Sequence, residues 1–145
     1  MQIHGVLVLV GMVLGGCGGM MIDSGGMHDA VADATTENEA HLSATLPATT
    51  MPAMLGEVTR HASRMGEILD DMSTHLGTMT HCSRASSMMD LRDEMHAELD
   101  AHGATMNAVA NLDEAHAEVA HHVVAMGTML HDMDRMVDGM RCSGW

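Results

Sequence analysis

The 145-residue chain has no Phe, no Tyr and no Lys; it has a single Trp, at its last position, two Pro and three Cys. Each shortage excludes something. Without aromatic rings a core has to be filled by aliphatic side chains, and Met, with 19 residues, takes that bulky role. All six basic residues are Arg, set against 20 acidic ones, for a net charge of −14, so no basic patch exists to hold nucleic acid. No C-x-x-C spacing occurs, which argues against a thiolate metal site, and the absence of C-x-x-C-H excludes covalently attached c-type haem. No segment alternates with a period of two, so strands are not expected. The apolar run from Val6 to Leu14 is too short to cross a bilayer as a helix.

That run sits in the opening "MQIHGVLVLVGMVLGGC", which reads as an export signal. Its end, "LGGC", resembles the lipobox of bacterial lipoproteins, although the first residues carry no Lys or Arg. The resemblance implies a signal peptide over residues 1–16, cleaved before Cys17, and a lipid on the Cys17 thiol that holds the protein to a membrane. Gly18 stands where an Asp would imply retention at the inner membrane, which points to the periplasmic face of the outer membrane. The likeness covers those first 17 residues, and the rest of the chain resembles no recognised family. Residues 17–27 read as the lipidated cysteine and a Gly-rich tether, and residues 28–145 as one folded domain. In an oxidising compartment the remaining cysteines, Cys82 and Cys142, are expected to pair as a disulfide.

Within the domain, "EVTRHASRMGEILDDM" (57–72) returns 61 residues later as "EVAHHVVAMGTMLHDM" (118–133), with 8 of 16 positions identical. The same offset aligns Asp29 with Asp90, Glu37 with Glu98 and His41 with His102. Breaker segments near 44–52, 81–87 and 109–115 separate four helical stretches, roughly 28–45, 52–80, 88–109 and 112–141. A duplicated helical hairpin, with repeats over about 28–80 and 88–142, builds an all-α antiparallel four-helix bundle. Heptad steps give inward stripes: Met51, Met54, Val58, His61, Met65, Ile68, Met72, His75 and Met79 on the second helix, and Leu112, Ala115, Val119, His122, Met126, Met129, Met133, Met136 and Met140 on the fourth. The third carries Met88, Met95, Leu99, His102, Met106 and Val109, and the first Met27, Val31, Ala34, Asn38, His41 and Thr45.

One His per helix therefore faces inward: His41, His61, His102 and His122. Each follows a Glu by four residues, in the pairs Glu37/His41, Glu57/His61, Glu98/His102 and Glu118/His122. Such a pair on a helix surface contributes a few tenths of a kcal/mol, but a buried imidazole without a partner loses hydration worth a few kcal/mol. Four inward imidazoles need partners, and a shared metal ion is one. The four could meet in one layer, with the carboxylates orienting the rings. A one-turn shift between hairpins would instead make two layers of two His and two Glu, suited to a dinuclear, di-iron-type site. Met65 and Met126, one turn beyond His61 and His122, could add thioether ligands that suit copper, and His75 lies on the stripe as a further candidate. His81, His96, His116, His121 and His131 fall off the stripe and read as solvated. The expectation is a lipid-anchored periplasmic protein that binds a transition metal, copper first and zinc, nickel or iron after it, for sequestration, sensing or delivery. The alternatives are a structural envelope lipoprotein with a Met-rich core and no cofactor, a b-type haem bundle for electron transfer, or a di-iron oxidase. No catalytic residue is assigned.

Overall fold

A computed structural model describes residues 24–142; the signal segment, Cys17, most of the expected tether and Trp145 lie outside the described residues. Four α-helices follow in order: α1 Ser24–Thr45, α2 Met51–Thr78, α3 Ala85–Ala108 and α4 Leu112–Asp138. α1 packs on α2 and α4, α3 packs on α2 and α4, and only a slight contact joins α2 to α4 across the diagonal. Short connections at 46–50, 79–84 and 109–111 turn each helix back on its predecessor, which gives an antiparallel four-helix bundle. α1 begins at Ser24, so the last residues of the expected tether are helical, because Met27 is fully buried in the core. Among the described residues no helix is long and apolar enough to cross a membrane.

The helix starts follow local chemistry. Thr50 caps α2 by accepting from the Ala53 amide, and Pro52 sits in the first turn, where its missing N–H costs nothing. Asn111 caps α4 by accepting from the Glu114 amide at 3.0 Å, while Glu114 accepts from the Ala110 amide at 3.0 Å, a reciprocal capping box. Arg84, before α3, adopts a left-handed backbone with φ 71°. Its guanidinium lies against Gly139, where a β-carbon would clash with Nη1, and donates to the Arg135 carbonyl at the end of α4.

The heptad stripes hold near the middle of the helices and drift toward their ends. On α4 the buried residues are Ala115, Val119, His122, Met126, Leu130, Met133 and Val137; on α2 they include Met54, Val58, His61, Met65, Leu69, Met72 and Leu76. Both series step 4, 3, 4, 4, 3, 4, an eleven-residue pattern close to the natural period of a straight helix rather than the 3.5 of a heptad. Leu130 and Val137 thereby take core places expected of Met129, Met136 and Met140, which are half-buried. Leu76 likewise replaces His75, which is half-buried and lies 3.5 Å from Asp71. The core forms two apolar blocks. The larger runs from the His layer toward the bundle end that carries Cys82, and the smaller, of Met54, Val58, Met106, Ala115 and Val119, lies toward the 46–50 and 109–111 turns.

Cys82, in the α2–α3 connection, is bonded to Cys142 beyond α4, at a sequence separation of 60. A covalent loop of that length restricts the unfolded chain by roughly 4 kcal/mol in the chain-entropy description. Reduction is therefore expected to lower the unfolding free energy by about 2–4 kcal/mol while leaving the helical circular-dichroism signal of the folded protein intact. Denaturant titration with and without reductant measures this, and thiol titration of the unreduced, denatured protein should find neither cysteine reactive.

Candidate metal centre

Between the two apolar blocks lies a layer made of one imidazole from each helix. His41, His61 and His122 have no exposed surface and His102 has 1%. The rings form two parallel stacks, His41 on His61 and His102 on His122, each with centroids 4.0 Å apart and planes 14° from parallel. The stacks meet edge to face, at centroid distances of 5.4–6.0 Å. The register is thus the single-layer one, and two separate His/Glu layers do not form. Equal spacing of each His pair about its own turn explains it, since short connections leave the hairpins no room to slide by a turn.

The carboxylates reach the rings from neighbouring helices rather than along their own. Glu37 of α1 accepts from His61 Nδ1 of α2 at 3.0 Å, Glu98 of α3 from His122 Nδ1 of α4 at 3.0 Å, and Glu118 of α4 from His102 Nδ1 of α3 at 3.2 Å. No carboxylate bonds the His four residues on along its own helix; each of the three that reach a ring does so from the neighbouring helix. The fourth cross-helix pair, Glu57 to His41, would complete the duplicated pattern, but Arg60 prevents it. Its guanidinium donates to Glu57 through Nε at 2.8 Å and also through Nη2, and to Glu37 at 3.1–3.2 Å. The repeat places His121 at the equivalent position of the second copy, where it is exposed. His41 is left with neither ring nitrogen hydrogen-bonded, and His102 Nε2 has no partner either.

The fourth contact of the layer joins the hairpins: His61 Nε2 lies 3.2 Å from His122 Nε2. Carboxylates only accept, so Glu37 and Glu98 draw the proton of each imidazole to Nδ1, and both facing Nε2 atoms are left with lone pairs. An extra proton between them is disfavoured. Burial lowers the pKa of all four imidazoles from 6.5, furthest for His41, to about 2, where the neighbouring His rings add to the effect. For His61 and His102 the bonds to Glu37 and Glu118 oppose the shift without cancelling it. Among the described residues Glu37, Glu57, Glu98 and Glu118 surround the layer and Arg60 alone is ion-paired to any of them as a permanent cation, so the surroundings are negative while the centre offers lone pairs. Even so, among the described residues no group of three or more His, Cys, Asp or Glu is already arranged to hold a metal ion. Stacking is the reason: parallel rings direct their nitrogens side by side rather than toward one point.

Other candidates stand apart from the layer. Met65 and Met126 are fully buried in the larger apolar block. His75 lies fourteen residues from His61, about 21 Å along α2 at the rise of a helix. Of the off-stripe histidines, His81, His121 and His131 are exposed and His96 is half-buried. His116 differs from its expectation: it is half-buried, with Nε2 3.2 Å from the Thr45 carbonyl at the end of α1. Two residues that shape the site gave little sequence signal. Arg60 falls off the apolar stripe and reads as solvated, although its departure from the repeat marks it. Asn38, on the stripe, donates to the Val123 carbonyl of α4 at 2.9 Å beside Gly127 and ties α1 to α4 within a turn of His41.

No family model, curated protein or solved structure matches this chain. The fold and the layer define it by class alone, as an all-α bundle with a buried tetrad of histidines.

Two outcomes follow for the metal-free protein. The folded layer holds its imidazoles neutral, whereas the unfolded chain protonates them near their ordinary value of 6.5. The unfolded state then binds more protons below that pH, so stability is flat above it and falls as pH drops through it. Each neutral His contributes a slope of ~1.4 kcal/mol per pH unit, which for His41 persists down to about 2. Denaturation midpoints measured from about pH 8 to about pH 4 should show this onset. Second, His41→Leu should stabilise the protein by about 1–3 kcal/mol, because it removes two buried nitrogens without partners. His61→Leu should destabilise it by about 1 kcal/mol, because it removes one hydrogen bond to the buried Glu37 carboxylate and leaves that group to Arg60 alone. Chemical denaturation of both variants tests the contrast.

Proposed function

We propose that the protein binds a transition-metal cation at the histidine layer, copper foremost and zinc, nickel or iron after it, to sequester, sense or deliver the metal. The observation that carries this reading is the pair of Nε2 atoms 3.2 Å apart, each on a ring whose Nδ1 is held by a carboxylate. Two imidazoles bound tetrahedrally to one ion at 2.0–2.1 Å have their nitrogens about 3.3 Å apart, so His61 and His122 already stand at the bite of a metal. A cation there removes the opposition of lone pairs and meets the negative surroundings of Glu37, Glu98 and Glu118. His41, with no hydrogen bond to break, and His102, with Nε2 unpartnered, are the rings that can turn to complete the set. An all-imidazole set binds Cu(II) most strongly among the divalent first-row metals, and Met65 and Met126 nearby suit Cu(I). The lipid anchor on Cys17 and the place at the outer membrane rest on residues 1–17 and complete the proposal as an envelope protein. A haem is less well served, because a porphyrin would need an open slot between imidazoles that here stack at 4.0 Å.

Elemental analysis of the purified protein and melting curves with and without chelator test the reading. Bound metal should raise the melting temperature, since a ligand held only by the native state stabilises it by about 2.7 kcal/mol at a concentration of 100 times Kd. Replacing His61 and His122 together should abolish tight binding, and Glu98→Gln should weaken it by roughly 10–100-fold. Replacing the exposed His121 and His131 should change little. A protein that carries no metal, takes up none and melts identically with chelator would be a structural lipoprotein with a Met-rich core.

A further inference from the structure

The duplication makes the two faces of the bundle that flank the layer comparable residue by residue, and they differ in one respect. Between α3 and α4 a surface groove is lined by Glu94, Ala97, Glu98, Ala125, Thr128 and Met129. Its lining includes Glu98, the carboxylate that holds His122 Nδ1 at 3.0 Å, and His122 is stacked on His102, whose Nε2 is unpartnered. The 61-residue offset maps the groove onto the α1–α2 face, where Ala125 becomes Arg64 and Thr128 becomes Glu67. Those two side chains are joined there at 3.2 Å, and Arg60 lies across Glu37. The Glu98 side chain accordingly keeps 23% of its surface exposed and Glu37 only 10%. One face is covered by cationic side chains; the other is acidic, lined by small residues and open.

We propose that the α3–α4 groove is the route by which the metal cation reaches the histidine layer, with Glu94 and Glu98 as its docking carboxylates. Glu94 and Glu98 lie one helical turn apart on one face of α3, so both can approach the same ion. They attract it electrostatically and replace part of its hydration shell. Glu98 also connects the solvent side of the groove to the layer, because the carboxylate that meets the ion is the one that orients His122. On the opposite face Arg60, ion-paired to Glu37 and Glu57, and the Arg64–Glu67 pair cover the equivalent carboxylate, which makes the route one-sided. This inference rests on the metal-binding reading above and concerns only how the ion arrives.

The test transplants the closed face onto the open one. In Ala125→Arg/Thr128→Glu protein, stopped-flow mixing with Cu(II) alone should show association slowed by at least ~10-fold, the scale on which local charge and access govern cation on-rates. Dissociation into a competing chelator should slow in parallel, so that equilibrium affinity stays near that of the unaltered protein. Glu94→Gln, a change at an exposed position, should slow association severalfold at low salt, with the difference vanishing at high salt. Opening the other face by Arg64→Ala/Glu67→Thr should leave the rates lost in the first variant unrestored unless Arg60 is removed as well. Unchanged rates in both the transplant and Glu94→Gln, with metal still bound, would overturn the route and leave the metal centre standing. Absence of binding to the unaltered protein would overturn the metal centre, and the route with it.

Discussion

The bundle depends on how four imidazoles are accommodated at the middle of its core. Each buried ring forgoes hydration worth a few kcal/mol, on the scale of what burying one methionine in the flanking blocks contributes, about 1.5–3 kcal/mol. Three of the rings recover part of this through hydrogen bonds to carboxylates on neighbouring helices. Those bonds also fix how the helices stand to one another, since a shift by one turn would leave both a buried imidazole and a half-buried carboxylate unsatisfied. Apolar packing alone is far less particular, and flexible Met residues fit many registers. The polar layer therefore sets the alignment, and the Met-rich blocks on either side supply the burial.

Duplication would make the layer two-fold symmetric, and Arg60 breaks that symmetry. By drawing Glu57 away from His41 it leaves one imidazole with nothing to orient it, and by covering Glu37 it closes one face. In the second copy Glu118 keeps its bond to His102, and Glu98 stays partly open to a groove. A single basic residue thus divides the layer into an anchored, accessible half and a looser, covered half.

The four inward histidines, the duplicated hairpin, the antiparallel order and the pairing of Cys82 with Cys142 are all legible in the sequence. They rest on helical periodicity and a fixed offset, which survive without knowledge of packing. The ends of the core stripes are not legible by heptad counting. A helix close to 3.6 residues per turn drifts about 20° per heptad, enough over the two heptads from the His layer to exchange Met136 for Val137 and His75 for Leu76. His116 is hidden for another reason: its partner is a main-chain carbonyl at the end of α1, and no side-chain pattern marks such an acceptor.

The carboxylates show the boundary most clearly. The sequence by itself determined that a Glu stands four residues before each inward His, that the chain is acidic, and that bulky apolar positions are filled by Met. Those are properties of composition and of one helix at a time. Only the tertiary structure decided that three of the four carboxylates serve a ring on a different helix, that all four rings share one layer, and that Arg60 takes the carboxylate His41 would have used. The physical reason is directional. Residue i−4 sits only about 40° round the helix from an inward residue i, so the spacing alone does not say whether its carboxylate meets its own ring or one across the interface, and the packing of the whole bundle decides.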